Sequence, residues 1–597
     1  MQNLITYKVE LHDLSAHLFQ VTLTIPEPAI TQHVSLPVWI PGSYLVREFS
    51  KNLQKLSAFQ GKKQLDAIQA DKCSWQIDCD STQPLVITYQ VFAHDNSVRT
   101  AWLDDTRGFF NGTSMCLRVE GQEDTKHILD LRSIATKRNW QVATSAAPLK
   151  INSQGFGRYS FTDYDELVDC PFELGTFWSG NFIARGVKHR FVVAGTTATF
   201  DGAKLLADTQ KICEAEMQFW HGKSANSKNN PPFKSYVFML NAVDDGYGGL
   251  EHRNSTALIC NRKDLPRFGE VKQPAGYNTL LGLISHEYFH TWNVKRLRPR
   301  EFAEFDYSQE NYTELLWFFE GFTSYYDDLL LRRAGLIDDT QYLDLLCKTA
   351  NHVMQTPGRK VQAVAQASFD AWVKYYRPEP NTANATVSYY TKGALVALCF
   401  DLTLRAEGKT TLDDVMRGLW TRCKASPMSE RDFAAVLEEL GGRSFTKEIK
   451  AWVHGTNELP VRNLLAKHGV VVSDEPAQLQ QRLGLRVAEA NGISIKVVLS
   501  GGAAEKAGFA PGDEWLGITV GAGSKAQSWR IHKLDDLAQY ITEHAVKSQK
   551  ITALVARDKR LIHLSLNWPA KSAERTWQFK AGKEEGEAKQ LSTWLSA

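Results

Sequence analysis

The chain has 597 residues, more than one ordinary domain, and this length predicts roughly three or four domains. Hydrophobic residues make up 43% and charged residues 23%, as expected of a globular protein with large cores. Lys and Arg number 69 against 67 Asp and Glu, so there is no basic surplus. This balance argues against nucleic acid as a partner.

The nine cysteines are scattered and none forms a CxxC pair, which favours reduced thiols over a disulfide framework. The N-terminal segment alternates apolar and polar residues like a strand, and it lacks the basic start and apolar core of a signal peptide. No apolar run reaches the length of a membrane span. We therefore expect a cytoplasmic protein without a membrane partner, and the oligomeric state stays open.

Residues 1–184 are rich in short alternating segments such as YKVEL, HLFQVTLTI and LVITYQVFA, separated by turn residues. They predict an all-β domain of sandwich or saddle type. Within it, VWIPGSYLVREFS places Trp39, Pro41, Gly42 and Tyr44 in one turn. The favoured interpretation is a structural turn with aromatic packing, and the alternative is a direct role in chemistry.

Residues 185–468 begin with a strand (FVVAG), a helix (GAKLLADTQKICEAEMQFWHG) and a strand (SYVFMLN), followed by the glycine-rich GYGGLEH. Long segments with helical periodicity come next, and Gly335 and Gly408 stand where helices are expected to end. Residues 469–597 return to short strands and predict a small β-rich module with two short helices. Its last stretch is expected to be a strand or a loose tail.

The segment GLISHEYFHTWNV, residues 282–294, carries the HExxH pattern and is predicted to be helical. On a helix, His286 and His290 are four residues apart and face the same way, so that both imidazoles can bind one zinc ion. Glu287 lies beside them and can take a proton from a water molecule held on the metal. The alternative is an amphipathic helix with solvent-facing histidines, but the preceding LLGLI indicates a buried helix.

A catalytic zinc ion needs a third protein ligand. Glu320 in LLWFFEGFTSYY is the best candidate, because apolar residues on both sides predict that it points inward. A buried carboxylate without a partner is costly, and a metal satisfies it. The alternative is a core glutamate held by an arginine or a backbone amide. Glu304, Glu310 and Glu314 lie in more polar surroundings and are weaker candidates.

HEYFHTWNVKRLRP, FEGFTSYY, GGLEH, WIPGSY and a C-terminal PDZ-like module occur here in one order. In this combination the chain resembles the glycyl aminopeptidases, PDZ-bearing zinc metallopeptidases that are distantly similar to aminopeptidase N. The resemblance covers nearly the whole chain. It implies a multidomain α+β protein: an N-terminal all-β domain, a mainly helical thermolysin-like zinc peptidase domain and a PDZ-like domain. It also implies a gluzincin site, with His286, His290 and Glu320 on one zinc ion and Glu287 as general base.

The same resemblance implies roles for GGLEH and SYYTKG. In aminopeptidase N the loop matching GGLEH is GxMEN, whose glutamate binds the free α-amine of the substrate. The matching residue here is Glu251, and Gly248 and Gly249 would let a peptide approach like an added strand. The sequence departs from that pattern at Leu250 and His252. Taken alone, GGLEH is also compatible with an ordinary turn after a strand.

Tyr390 of SYYTKG matches the tyrosine of the YxKG pattern in aminopeptidase N, whose hydroxyl donates a hydrogen bond to the oxyanion. Lys392 and Gly393 fix this match on Tyr390 rather than on Tyr389. Taken alone, such a tyrosine pair at the start of an apolar helix would indicate packing. The oxyanion needs such a donor, because a metal ion alone leaves part of the developing charge unsupported.

The C-terminal module carries GGAAEKAGFAPGDEWLGI, with Pro511, Gly512 and Asp513 in a turn typical of bacterial PDZ modules. PDZ domains bind an extended peptide along a sheet edge and hold its C-terminal carboxylate on backbone amides. Leu483, Gly484 and Leu485 would form the carboxylate-binding loop. The alternative, that the module only packs or contacts another subunit, stays open.

The sequence thus predicts a zinc aminopeptidase that removes N-terminal residues from peptides. The resemblance implies a preference for small residues, glycine or alanine. One alternative is a zinc endopeptidase with the same metal site and no amine anchor. Another is a peptide-binding protein in which the PDZ-like module recruits C-termini and the peptidase-like part is not catalytic.

Overall fold

The computed structural model describes residues 4–134, 137, 139–222, 231–270, 274–521, 523–543, 550–569 and 574–596. They form two compact units. The first contains the residues up to Thr313 together with Tyr326–Ile337 and Met416–Asp432; the second contains Glu314–Tyr325, Asp338–Val415 and the chain from Phe433 onward. The domain boundaries 1–184, 185–468 and 469–597 stay a prediction, and residue 597 lies outside the described residues.

The N-terminal part of the first unit consists almost entirely of strands. Buried and partly exposed side chains alternate along its first two strands, as the period of a half-buried strand requires. This confirms the predicted all-β domain. Its elements are β1 (Ile5–Asp13), β2 (Leu18–Ile25), β3 (Thr31–Ser35), β4 (Leu53–Gln60), β5 (Lys63–Leu65), β6 (Ala67–Gln69), β7 (Ser74–Asp78), β8 (Leu85–Phe92), β9 (Ala101–Leu103), β10 (Arg107–Phe110), β11 (Arg118–Val119), β12 (His127–Arg132), β13 (Gln141–Ala143), β14 (Ala147–Ile151), β15 (Gly157–Phe161), the short helix α1 (Tyr164–Val168) and β16 (Phe172–Gly175).

These strands form an eight-stranded sheet in the order β14-β15-β12-β1-β2-β8-β4-β5 and two four-stranded sheets, β13-β16-β10-β9 and β11-β3-β7-β6. β1 runs parallel to β12 and antiparallel to β2. Their inward side chains share one apolar core that includes Tyr7, Phe19 and Tyr89. The hydroxyl groups of Tyr7 and Tyr89 donate to the carbonyl oxygens of Leu117 and Met115, so the core tyrosines are satisfied.

A five-stranded mixed sheet follows in the first unit, in the order β17-β18-β19-β21-β20. Because β20 is an edge strand, one side of its backbone is open to pairing. β17 and β18 pair as antiparallel neighbours across the predicted boundary at residues 184 and 185. The elements are β17 (Trp178–Ala184), β18 (Val187–Ala194), α2 (Gly202–His221), β19 (Ser235–Val243), β20 (Gly248–Glu251), β21 (Ser255–Asn261) and α3 (Ala275–Phe289).

Helices dominate the chain from residue 316 to residue 467, as the apolar periodicity predicts. They are α4 (Leu316–Arg333), α5 (Asp339–Met354), α6 (Val364–Phe369), α7 (Thr382–Ala385), α8 (Tyr389–Glu407), α9 (Leu412–Arg422), α10 (Glu430–Gly441), α11 (Thr446–Trp452) and α12 (Val461–Lys467). Gly408 ends α8 in the left-handed conformation, with φ of 73°. The helix predicted for residues 282–294 is shorter than expected, because α3 ends at Phe289 and turns follow.

The C-terminal part of the second unit is a sheet in the order β23-β24-β25-β27-β28, with β26 paired to β25, and a separate β22-β29 pair. Its elements are β22 (Val470–Pro476), α13 (Leu479–Leu483), β23 (Leu485–Ala488), β24 (Ile493–Val498), α14 (Ala503–Ala507), β25 (Glu514–Val520), β26 (Gln527–Arg530), α15 (Leu534–Glu543), β27 (Lys550–Arg557), β28 (Arg560–Asn567), β29 (Arg575–Ala581) and α16 (Glu585–Ser596). The expected strand is β29, but α16 was not predicted. It forms because Leu591, Trp594 and Leu595 recur at helical spacing and are buried.

Across the described ranges, no helix is both long enough and apolar enough to span a membrane.

Candidate active site

His286 and His290 are oriented by hydrogen bonds at their outer ring nitrogens. His286 Nδ1 lies 3.0 Å from Asp327 Oδ2, and His290 Nδ1 lies 2.8 Å from the Asn293 carbonyl oxygen. The Asn293 carbonyl oxygen can only accept, so His290 carries a proton on Nδ1 and its Nε2 is left as an acceptor. The two Nε2 atoms are 3.0 Å apart. Two imidazoles whose Nε2 atoms converge while an oxygen atom holds each ring at Nδ1 have the geometry of a metal site.

Glu320 completes this group. One carboxylate oxygen of Glu320 and one nitrogen of each of the two histidines lie within 4.8 Å of one another, and Glu320 is buried. Asp327 follows Glu320 by about two helical turns on α4, so one face of this helix carries both the carboxylate of the group and the acceptor for His286. Asp327 was missed from the sequence. The signal was its spacing from Glu320 in FEGFTSYYDD.

Hydrogen bonds between buried polar side chains hold α3 in place. His189 Nε2 accepts a hydrogen bond from the Tyr288 hydroxyl over 2.9 Å, and burial lowers the pKa of His189 to about 4, which keeps the ring neutral. The Ser285 hydroxyl lies 2.9 Å from the Glu216 carboxyl group and also contacts the Asp327 carbonyl oxygen. Burial raises the pKa of Glu216 well above its ordinary value, which favours the protonated carboxyl group. The histidine-bearing helix α3 is therefore held by buried side chains whose burial disfavours charge.

Glu287 packs against bare backbone of the edge strand β20. A Cβ atom placed on Gly249 would lie 2.1 Å from Glu287 Oε1, so no residue larger than glycine fits there without displacing that carboxylate. Arg99 donates a hydrogen bond of 3.0 Å to the Gly249 carbonyl oxygen. Gly248, with φ of 153°, has a backbone conformation that favours glycine. The structure thus brings Gly248, Gly249 and Glu287 together, and Arg99 is a neighbour that the sequence did not indicate.

Glu251, at the end of β20, has a buried carboxylate that is 4% exposed. Within the described residues, no hydrogen bond or ion pair to this carboxylate is found. The nearby Lys295 ammonium group instead lies 2.7 Å from Asp169. Burial alone would raise the pKa of Asp169, but Lys295 and His252 hold it well below its usual range. Glu251 is therefore an acceptor available to a cationic group that comes from outside the chain.

Close contact between two helices positions Tyr390 near Glu320. A Cβ atom on Gly321 of α4 would lie 2.5 Å from the Gly393 Cα atom of α8, so the two backbones touch at these glycines. Burial raises the pKa of Tyr390 well above its ordinary value, and the nearby Glu320 carboxylate adds to the effect. The phenol therefore stays protonated and can donate a hydrogen bond. Gly393 is the glycine of the YxKG pattern. In the sequence it served only to identify Tyr390, and in the structure it makes this contact.

Two imidazoles and a carboxylate on neighbouring helices, beside an edge strand, define the class of site found in metal-dependent peptidases. The family model for the M61 glycyl aminopeptidases matches residues 279–396, and the model for the M61 peptidase N-terminal domain matches residues 6–176. The crystal structure of an aminopeptidase N family protein from Idiomarina loihiensis is 35% identical and covers 100% of both chains with a TM-score of 0.91. The chain belongs to the M61 glycyl aminopeptidase family and is a metallo-aminopeptidase.

Other solved structures are much more distant. An M1 zinc metallopeptidase from Deinococcus radiodurans is 13% identical and covers 76% of this chain and 93% of its own, with a TM-score of 0.46. Aminopeptidase A of Legionella pneumophila, in complex with aspartic acid, is 12% identical and covers 89% and 56%, with a TM-score of 0.48. Similarity at this level supports no further conclusion. Among curated proteins, none matches the chain.

Proposed function

We propose that this metallo-aminopeptidase uses one zinc ion per chain, bound by His286, His290 and Glu320, to remove N-terminal residues from peptides. The observation that carries the proposal is the convergence of the two histidine Nε2 atoms at 3.0 Å beside a buried carboxylate. Two histidines and one glutamate form the usual donor set of a catalytic zinc site with one open position.

A bound zinc ion would polarise the scissile carbonyl group and lower the pKa of a water molecule. Glu287, next to the metal ligands, accepts a proton from the attacking water and passes it to the leaving amine. Tyr390 donates a hydrogen bond to the oxyanion, for which its phenol must stay protonated. The peptide adds to the edge strand β20 as an extra strand, and the missing side chain of Gly249 leaves room for the Glu287 carboxylate beside it.

Glu251 distinguishes an aminopeptidase from an endopeptidase with the same metal group. Its buried carboxylate, without a partner among the described residues, suits the ammonium group of a free N-terminus. An endopeptidase needs no such acceptor. The preference for glycine or alanine belongs to the same proposal and is tested with glycyl, alanyl and leucyl p-nitroanilides beside an N-blocked peptide. Rapid cleavage of the blocked peptide would favour the endopeptidase.

Glu287→Gln tests the mechanism directly. Because the amide cannot accept the proton, kcat should fall by about 10²–10⁴-fold while zinc stays bound. The measurements are steady-state rates on glycine p-nitroanilide and zinc content by atomic absorption. A chelator should abolish activity of the unchanged protein, and added zinc should restore it. Full activity of the Glu287→Gln variant at normal zinc content would disprove the role of Glu287. Activity of the unchanged protein that persists after chelation has removed the zinc would disprove the zinc mechanism.

The C-terminal module is proposed as a PDZ-like domain with a peptide C-terminus as its ligand. Supporting this, a cavity of about 510 Å³ in the second unit is lined by Gly484 and Leu485 of the predicted carboxylate loop. The cationic side chains in its lining suit a carboxylate: Arg359, Lys360, Arg486 and Arg575. A fluorescent peptide with a free or amidated C-terminus tests this, and equal binding of both would contradict it. A cytoplasmic location likewise stays a prediction.

A further inference from the structure

The WIPGSY segment contains a tight turn, residues 40–43, which we call the Gly42 turn. The Ser43 amide donates to the Ile40 carbonyl oxygen over 3.1 Å, and Gly42 has φ of 91°. Proline followed by glycine at the two central positions, with this bond and this φ, is a type II turn. The turn alone thus gives one reason for glycine at position 42.

A second reason lies outside the turn. A Cβ atom on Gly42 would lie 2.5 Å from both carboxylate oxygens of Glu251. Real Cβ contacts are never this short, so any side chain at position 42 would overlap the carboxylate. Gly42 and Glu251 also line one cavity of about 20 Å³, room for roughly one water molecule. The carboxylate therefore has little space into which it could move locally.

The Gly42 turn is held firmly from behind. The Trp39 indole N–H donates to the Asp306 carbonyl oxygen over 2.7 Å, and the Val38 amide donates to the Tyr307 carbonyl oxygen over 2.8 Å. Trp39 is fully buried. Because Val38 and Trp39 directly precede the turn and are bonded to another backbone segment, the turn cannot retreat easily. The end of the Glu251 side chain is more flexible than the turn, so a side chain added at position 42 would force the carboxylate out of its present position despite the little space beside it.

From these contacts we infer that Gly42 is a positioning residue for the amine-binding carboxylate, so that the N-terminal β domain sets recognition of the substrate N-terminus. This inference rests on the proposed role of Glu251. It assigns the WIPGSY segment a function through Glu251, with no contact to the reacting atoms. It also predicts that position 42 controls discrimination for a free amine while metal binding is unaffected.

Gly42→Ala tests the inference, with Gly121→Ala as its matched control. Gly121 has φ of 80° in a turn closed by the Gln122 amide and the Val119 carbonyl oxygen, but a Cβ atom there meets nothing within 4 Å. Both variants carry the same backbone strain, and only the first meets Glu251. Gly42→Asn is the second variant, because asparagine tolerates positive φ while its Cβ atom still meets the carboxylate.

The readout is the ratio of kcat/KM for glycine p-nitroanilide to kcat/KM for 4-nitroacetanilide, which lacks only the amine. Since a displacement of about 1 Å can cost up to about 10²-fold, both Gly42 variants should lower the ratio at least about tenfold, mainly through KM for the glycine substrate. Gly121→Ala should leave the ratio unchanged. Zinc content should stay equal in all variants. A purely structural defect would lower kcat/KM for both substrates by the same factor and leave the ratio unchanged.

Glu251→Gln distinguishes a failure of the proposed amine anchor from a failure of the inference about Gly42. If Glu251→Gln leaves the ratio unchanged, the proposed amine anchor is wrong, and the inference about Gly42 falls with it. If Glu251→Gln abolishes the preference but both Gly42 variants behave like Gly121→Ala, only the inference about Gly42 is wrong. Support requires in addition that Gly42→Ala has little further effect in the Glu251→Gln background, because both changes then act through one contact.

Discussion

Glu287 and Glu251 are two buried carboxylates, and each packs against a glycine. A Cβ atom would overlap Glu287 at Gly249 and would overlap Glu251 at Gly42, so both carboxylates need bare backbone beside them. They differ in the origin of that backbone. Glu287 and His286 lie on α3 and His290 follows its last residue, with Gly249 on the adjacent edge strand. Glu251 depends on a turn from a distant part of the sequence.

This difference separates chemistry from recognition. His286, Glu287 and His290, three of the groups proposed for bond cleavage, are spaced by helix geometry at the end of α3, so local sequence largely determines their arrangement. The group proposed for N-terminal recognition depends on how the β domain packs beside β20. Recognition can therefore change through substitutions in the β domain while the metal group stays intact. The following predictions test that separation.

Gly249→Ala should give the largest effect and is the counterpart of Gly42→Ala. Gly249 is not among the glycines with positive φ, so alanine adds no backbone strain there, and the overlap with Glu287 Oε1 is its main consequence. Because the proposed base is displaced, kcat should fall about 10²-fold for every substrate while the amine preference stays unchanged. The control is Gly586→Ala, where a Cβ atom meets nothing within 4 Å. A change in preference with normal kcat would contradict the separation.

Asp327→Asn should have an intermediate effect. It should be confined to the group of His286, His290 and Glu320, which we call the metal half of the site. The amide keeps the shape of the carboxylate but orients the His286 ring less strongly through Nδ1, and such partners typically contribute about 10–100-fold in metal affinity. Competition with a fluorescent chelator measures the zinc Kd. Asp344→Asn, on the exposed face of α5, serves as the control. With saturating zinc, the preference for a free amine should equal that of the unchanged protein. A loss of this preference would show that the metal half and the amine-binding Glu251 are coupled.

The sequence indicated the part of the proposed site that depends on local spacing. Residues four apart in HExxH and a glutamate among aromatic residues indicated a group that the structure brings within 4.8 Å. It did not indicate Asp327, because the partner of His286 depends on how α4 crosses α3. The contact between Gly42 and Glu251 was also hidden, since the turn motif alone explains a glycine there. Helix α16 was missed because the polar first half of its segment obscured the buried Leu591, Trp594 and Leu595.

His221 should give the smallest effect, on stability rather than on catalysis. It lies under the metal half, where the Trp292 indole N–H donates to His221 Nε2 over 2.8 Å. Burial lowers the pKa of His221 to about 4, and the nearby Arg185 adds to the effect. The folded protein therefore prefers the neutral ring, whereas the unfolded chain binds a proton below about pH 6.5. Stability from this residue is complete above that pH and is lost as the pH falls towards 4.

His221→Gln removes this titration and retains an acceptor for the Trp292 indole. Between pH 6.5 and 4, the free energy of unfolding of the variant should fall less steeply, by up to about 1.4 kcal/mol per pH unit, the linkage of one proton. Urea unfolding across this range, with zinc-free protein for both forms, measures the slope. His189 also has a depressed pKa and stays in both proteins, so their difference isolates His221. Equal slopes would mean that the fold does not discriminate against the charged His221 ring. A flatter slope of the variant, together with an unchanged preference for a free amine at pH 7, would show that His221 supports the metal half alone.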